Sequence, residues 1–176
     1  MATDTQQGEI VNKIKQSKKL VTIDLQQYYD DTERVGLDLK QFLFKGLILK
    51  EQEFRQQLKE FDWSQYQDQY VCVHCSSDAI ISKWAYMLIG SHLAPHAREI
   101  FKGKPADIIH ELYQRKLSEV DWSQYEDKFV ILKGCSDDER PVPESVYLYA
   151  TQKLLPYVKK LMYGEACSNV PVYRGQ

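Results

Sequence analysis

Part of this chain is written twice, and a segment written twice restricts the folds open to it. Asp62-Trp63-Ser64-Gln65-Tyr66-Gln67-Asp68-Gln69-Tyr70-Val71 recurs as Asp121-Trp122-Ser123-Gln124-Tyr125-Glu126-Asp127-Lys128-Phe129-Val130, with seven of ten positions identical at an offset of 59. A fainter echo follows at an offset of 61, where Leu93-Ala94-Pro95 matches Leu154-Leu155-Pro156 and Gly103 matches Gly164. A repeat of this size reports a repeated piece of architecture, so one element order should appear twice.

The elements inside each copy follow from residue pattern. Tyr70 to His74 and Phe129 to Lys133 are apolar on both faces, as expected of strands covered on both sides. Each is followed by a loop, then by a helical pattern: Ile80, Ile81, Trp84, Met87 and Leu88 in the first copy, Glu144 to Leu155 in the second. Pro95 interrupts the first helix. Glu99 to Lys102 and Lys160 to Tyr163 then read as closing strands. This grammar predicts an α/β fold, with two related βαβ-like halves forming a mostly parallel sheet with packed helices, plus an N-terminal extension.

In that reading 1–61 is the extension, 62–104 the first repeat, 105–120 a connecting helix opened by Pro105, and 121–176 the second repeat with a C-terminal extension, together one compact domain. Within the extension, Glu9 to Lys18 reads as a short amphipathic helix, Leu20 to Leu25 and Arg34 to Leu39 as strands, and Glu51 to Phe61 as a helix with Phe54 and Leu58 inward. The apolar block Phe42, Leu43, Phe44, Leu47, Ile48, Leu49 is expected to be buried. The twin Asp-Trp-Ser-Gln-Tyr segments are expected to be corners, with Asp and Ser satisfying local backbone donors and Trp and Tyr sealing the sheet edge.

Composition excludes more than it assigns. A chain of 176 residues buries about 70% of its unfolded surface, so it needs no disulfide or metal in order to fold. A net charge of -2 gives no basic footprint, so nucleic acid is not an expected partner. Met1 to Gly8 lacks a basic run followed by an apolar one, and no window approaches about 18 apolar residues, so neither a signal peptide nor a membrane partner is expected. A cytoplasmic location is expected, with its four cysteines held as thiols.

The catalytic inventory is thin: there is no Gly-rich phosphate loop, no Gly-x-Ser-x-Gly elbow and no His-Glu-x-x-His helix. His92 and His96 are one turn apart, with Pro95 between them. Cys72 and Cys75 resemble a Cys-x-x-Cys pair, but on a strand they point to opposite faces, and Cys72 aligns with the core position Ile131. The other three cysteines stand elsewhere. Cys75 and Cys135 follow the central strand of each copy, and Cys167 follows the closing strand of the second. Carboxyl ends of parallel strands are where open α/β folds place their sites, and a following helix N-terminus favours a thiolate. Cys135, Cys167 and Cys75 are therefore the candidate metal, sulfur or redox residues; the competing reading is small buried side chains.

Gly46-Leu47-Ile48-Leu49-Lys50-Glu51, Asp62-Trp63-Ser64-Gln65-Tyr66, Trp84-Ala85-Tyr86-Met87-Leu88, Lys133-Gly134-Cys135-Ser136 and Gly164-Glu165-Ala166-Cys167-Ser168-Asn169-Val170-Pro171 together resemble the Bacteroidetes family filed as domain of unknown function 2480, from about Glu9 to Arg174. None of these motifs is diagnostic of a reaction. The resemblance implies a gene neighbourhood often shared with the sulfur-mobilisation pathway for iron–sulfur cluster assembly. The resemblance thus implies a thiol-based accessory factor in iron–sulfur assembly or in sulfur or metal handling, with iron–sulfur assembly proteins as partners. Two alternatives stand beside it. One is a non-catalytic scaffold or interaction module whose repeated halves make a homodimer or a partner surface. The other is an enzyme with a small-molecule site at the strand ends, lined by Asp138, Glu165 and His74.

Overall fold

The computed structural model describes residues 19–134 and 139–175. The expected helix Glu9 to Lys18 lies outside them. The chain divides into two compact units: one is Asp30–Leu112, and the other joins Met1–Tyr29 to Tyr113–Gln176. The first unit is thus inserted into the chain of the second.

Each unit has its own sheet. The inserted unit contains β2 (Arg34–Asp38), β3 (Tyr70–His74) and β4 (Glu99–Lys102), all parallel, in the order β2-β3-β4. The enclosing unit contains β1 (Leu20–Ile23), β5 (Phe129–Lys133), β6 (Lys160–Glu165) and β7 (Ser168–Arg174), in the order β1-β5-β6-β7. Only β7 runs antiparallel, against β6. Four α-helices complete the described residues: α1 (Glu51–Glu60), α2 (Lys83–Leu93), α3 (Ile109–Ser118) and α4 (Glu144–Leu154). The α/β class and the two related, mostly parallel βαβ halves are as the sequence predicts, with the strands distributed over two sheets.

The duplication is deeper than the repeated decapeptide. In the inserted unit the order is strand, 3-10 turn, α1, 3-10 turn, β3, α2, β4; in the enclosing unit it is strand, 3-10 turn, α3, 3-10 turn, β5, α4, β6. The registers match as well. Val35 lies opposite Val71 as Val21 lies opposite Val130, and Tyr70 lies opposite Glu99 as Phe129 lies opposite Lys160. The first strand of each copy and the 3-10 turn after it are the part hidden in sequence: Val21, Asp24, Leu25 and Gln27 recur as Val35, Asp38, Leu39 and Gln41. In both copies an aspartate ends the strand and its Oδ1 accepts the backbone N–H two residues on, Asp24 from Gln26 and Asp38 from Lys40, which starts the 3-10 turn.

The cores correspond position by position. In the inserted unit Leu37, Phe54, Leu58, Val71, Ala85, Ile89 and Leu93 are fully buried in one cluster. Their counterparts in the enclosing unit, Ile23, Tyr113, Leu117, Val130, Val146, Ala150 and Leu154, are buried too. The inward triads of α2 and α4 sit four residues apart, the spacing that puts side chains on one helical face. Behind the sheet of the inserted unit, Tyr70, Cys72 and Phe101 pack with Ile108 and Leu112.

The twin Asp-Trp-Ser-Gln-Tyr segments form the expected corners. Asp62 Oδ1 accepts from the Ser64 N–H at 3.0 Å and hydroxyl at 2.6 Å, and Asp121 accepts from Ser123 at the same distances. Each indole N–H donates to a helical carbonyl five residues back, Trp63 to Leu58 at 2.8 Å and Trp122 to Leu117 at 3.2 Å. Both tryptophans are buried at the mouth of their sheets.

Three expectations need correction. The apolar block after Leu39 is not buried throughout: Phe42 and Leu43 are, but Leu47 and Ile48 are 59% and 55% exposed. Lys45 and Gly46 take positive φ at the tip of a tight turn closed by a Phe44–Ile48 bridge, and a protruding turn cannot bury its own tip. Ile80, expected within the helix that follows β3, lies before it and is exposed, because α2 starts only at Lys83. Pro105 opens a turn, and α3 begins later, at Ile109.

Candidate functional site

In both units the carboxyl end of the central strand opens onto a cleft roofed by the following helix, at equivalent places. The cleft of the inserted unit has a volume of about 280 Å³ and is lined by Val73, Cys75 and Ser77, by Ile81 and Tyr86, and by Lys102 and Gly103. The cleft of the enclosing unit, about 580 Å³, is lined by Leu132 and Gly134, by Tyr147, Leu148 and Thr151, and by Met162, Tyr163 and Val172 among others. The repeat aligns Cys75 with Gly134, Tyr86 with Tyr147 and Lys102 with Tyr163. One cleft therefore carries a thiol and an ammonium where the other carries a bare backbone and an aromatic ring.

The enclosing unit's cleft is the more apolar of the two, although Glu144 and Thr151 also line it, because its two tyrosine hydroxyls turn to backbone carbonyls. Tyr147 donates to the Lys133 carbonyl at 2.9 Å and Tyr163 to the Gly134 carbonyl at 3.0 Å, leaving the two rings edge to face with centroids 5.5 Å apart. Gly134 is required here: a Cβ would come within 2.9 Å of the Tyr163 ring. Leu148 and Val172 stay largely exposed at the rim. Behind the cleft, the Lys133 ammonium pairs with Asp24 at 2.7 Å.

The inserted unit's cleft is polar. Strand alternation sets Cys75 on the face of Val71 and Val73, and its half-buried thiol lies 3.2 Å from the Ser77 hydroxyl. Lys102, opposite Val73 in the parallel register, lies on the same face as Ile100. His74 borders the cleft, yet alternation turns its ring to the other face, against Gly36, where a Cβ would meet Cε1 at 3.1 Å. His74 is therefore no base for Cys75. Asp38 closes the sheet end by accepting the Ser76 N–H at 3.0 Å. Burial works against its charge, but the hydrogen bonds from Ser76 and Lys40, with His74 nearby, hold its carboxyl below the ordinary value.

The candidate cysteines separate on inspection. Cys72 is fully buried; burial and then the Asp107 carboxylate push its thiol up, against a smaller pull from Arg34, as suits an inert core residue. Cys75 belongs to the inserted unit and Cys167 to the enclosing one, where Cys167 is exposed at the two-residue tip of the β6–β7 hairpin. Cys135 and Asp138 lie outside the described residues, so the expected approach of Cys135 to Cys167 does too. Glu165 ends β6 and pairs with Ser168 in the hairpin. Among the described residues no group of three or more His, Cys, Asp or Glu could hold a metal ion. His92 and His96 form no chelating pair: His92 stacks on Trp63 at 5.1 Å, and His96 lies beyond the end of α2. Lys102 and Ser77 carried no motif and Tyr86 only a family one; aligning the copies at the offset of 61 brings out Tyr86 and Lys102 by their counterparts Tyr147 and Tyr163.

The chain matches the family described as Protein of unknown function (DUF2480) over residues 8–175, and it belongs to that family. No curated protein and no solved structure matches it. No helix among the described residues is long and apolar enough to cross a membrane.

Proposed function

We propose that this chain is a cytoplasmic, thiol-based accessory factor that handles sulfur for iron–sulfur cluster assembly, and that Cys75 is its working thiol in the inserted unit. The observation that carries the reading is the position of Cys75: half-buried, at the carboxyl end of the central strand of a parallel sheet, on the wall of a cleft that also presents Lys102. One thiol suffices to carry a sulfur atom as a persulfide, whereas a structural metal site needs about four ligands. Sulfur carriage is thus the form of the reading that the described residues support best. Cys135 and Cys167 are the second candidate pair, on the enclosing unit.

The test is sulfur loading of the full-length chain by inorganic polysulfide under nitrogen, followed by peptide mass spectrometry. The expected result is a gain of one sulfur atom at Cys75, lost in Cys75→Ser. Loading confined to other cysteines, or absent, overturns the assignment.

A second reading, a non-catalytic interaction module, is favoured by the enclosing unit's apolar cleft and its exposed rim residues Leu148 and Val172. Sedimentation of the native chain beside Leu148→Glu tests it: a dimer that the variant dissolves supports self-association through that cleft, and an unaltered monomer counts against it.

A further inference from the structure

We infer that the inserted unit's cleft is a thiol site for small anionic electrophiles, in which Cys75 forms the bond and Lys102 selects the charge. The inference rests on Cys75 being the working thiol. It adds the class of partner molecule, which neither the family description nor any motif assigns.

The geometry comes from the chain's own second copy. In the enclosing unit Gly134 and Tyr163 are in contact: a Cβ built on Gly134 meets Tyr163 Cζ at 2.9 Å and Cε1 at 3.1 Å. Gly134 stands where Cys75 does and Tyr163 where Lys102 does, on strands of matching register. A thiol and an ammonium therefore occupy neighbouring positions whose counterparts touch, and both line one cleft. Lys102 has no carboxylate partner among the described residues, so its charge is not already spent on the protein. Tyr86 gives a second, independent sign. Its counterpart Tyr147 donates to the Lys133 carbonyl, while the part-exposed Tyr86 lines the cleft and its hydroxyl makes no hydrogen bond to any described residue, so it is open to solvent or to a bound molecule. Ser77 supplies a further hydroxyl at the thiol.

The cleft, at about 280 Å³, lies just below the range of roughly 300–1,000 Å³ that drug-sized ligands fill, so the molecule it takes is small. An ammonium in the same cleft as a thiol attracts an anionic reagent that the thiol sulfur alone would not. The reaction is a displacement: the Cys75 sulfur gives its electron pair to the electrophilic atom, the leaving group departs with its own bonding pair, and the thiol proton passes to solvent.

Iodoacetate and iodoacetamide test this, since they differ in charge and share the leaving group iodide. The carboxymethylation rate at Cys75 relative to its carbamidomethylation rate is measured by peptide mass spectrometry on the full-length native chain and on the same chain in urea, which supplies the ratio for an unassisted thiol. The expected native ratio is about tenfold above the denatured one, the effect of a cation close to the reacting sulfur. Lys102→Gln should bring it down to the denatured value and Lys102→Arg should keep it high. Lys102 is exposed, so neither change should disturb the fold, and circular dichroism verifies that. A native ratio at or below the denatured one, or a Lys102→Gln ratio equal to wild type, overturns the inference. If Cys75 also takes up sulfur from polysulfide, such a result removes the anion selectivity alone; if Cys75 labels with neither reagent in the native chain, the reading of it as a working thiol falls as well.

Discussion

Asp24 and Asp38 hold the same place in two different sheets. Each ends the first strand of its unit and starts a 3-10 turn through an Oδ1 bond to the backbone two residues on, at 3.1 and 3.0 Å. Between the turn that Asp24 starts and the rest of its own unit stands the whole of the other. The chain is thus one copy of a fold placed inside another copy.

An inserted copy with its own core should fold alone. Residues 30–112, excised, retain the large core cluster and also Ile108 and Leu112, which cover Tyr70, Cys72 and Phe101. The expected outcome is a cooperative urea transition for the excised piece. Ending it at Gly103, before those two residues, should weaken it by several kcal/mol, since each fully buried leucine or isoleucine side chain contributes about 1.5–3 kcal/mol. A non-cooperative transition for 30–112 would show that the core needs more of the chain.

The corner tryptophans should be unequal. Trp63→Phe leaves the Leu58 carbonyl without its indole donor, and a buried unpaired carbonyl costs about 1–3 kcal/mol. Trp122→Phe breaks a longer bond, 3.2 against 2.8 Å, and should cost less. Urea midpoints of the two variants check the order; a larger loss for Trp122→Phe would contradict it.

Gly164 should tolerate no side chain. Its φ is +126°, and a Cβ would lie 2.6 Å from the Ser168 carbonyl oxygen, backbone that cannot swing aside. Gly164→Ala is expected to cost at least about 1–3 kcal/mol through backbone strain alone and to loosen the β6–β7 hairpin, read as faster amide exchange at Asn169 and Val170.

How much of this was legible in the sequence depended on the range of the interactions. The Trp63 and Trp122 corners could be read because their partners are local: a serine two residues away and a carbonyl five residues back. The kinship of Asp24 with Asp38 could not, because four scattered identities across a short strand and the turn after it, out of step with the offset of 59, carry little signal. Phe44, Leu47 and Ile48 misled because apolar residues in a run suggest burial, and only the positive φ of Lys45 and Gly46 lifts that turn into solvent. Cys75 was visible as a residue at a strand end. Its neighbour Lys102 was not, because their proximity depends on the pairing of β3 with β4.

Acid should weaken the fold through two aspartates. Asp62 is held below the ordinary carboxylate value by the Ser64 hydroxyl and then its N–H, and Asp38 by Ser76 and Lys40 in spite of burial. A carboxyl with a lowered folded value stabilises the native state above its unfolded value, about pH 4, and that contribution is lost as the pH falls through the folded value. Urea midpoints should therefore drop below about pH 4, and the drop should be shallower in Asp38→Asn and in Asp62→Asn. An unchanged pH profile in both variants would assign acid sensitivity to other groups.

Cys72 should be the last of the four cysteines to react. It is fully buried and its thiol is pushed up by burial, while Cys75 is half-buried and Cys167 exposed. Timed alkylation of the native chain checks the order, and fast labelling of Cys72 would mean that the sheet of the inserted unit opens readily.

Nesting also sets a timetable for synthesis. As the chain leaves the ribosome, β1 emerges ahead of the other described strands, but β5, the one neighbour it pairs with among the described residues, follows after the entire inserted unit. Leu20 to Ile23 therefore waits without its β5 partner while the copy behind it completes its own sheet. That segment is the one a chaperone has most reason to hold. The same wait exposes β1 to a wrong match, because β2 of the inserted copy carries the matching valine, with the same aspartate and leucine at its carboxyl end, and reaches its own partner β3 first.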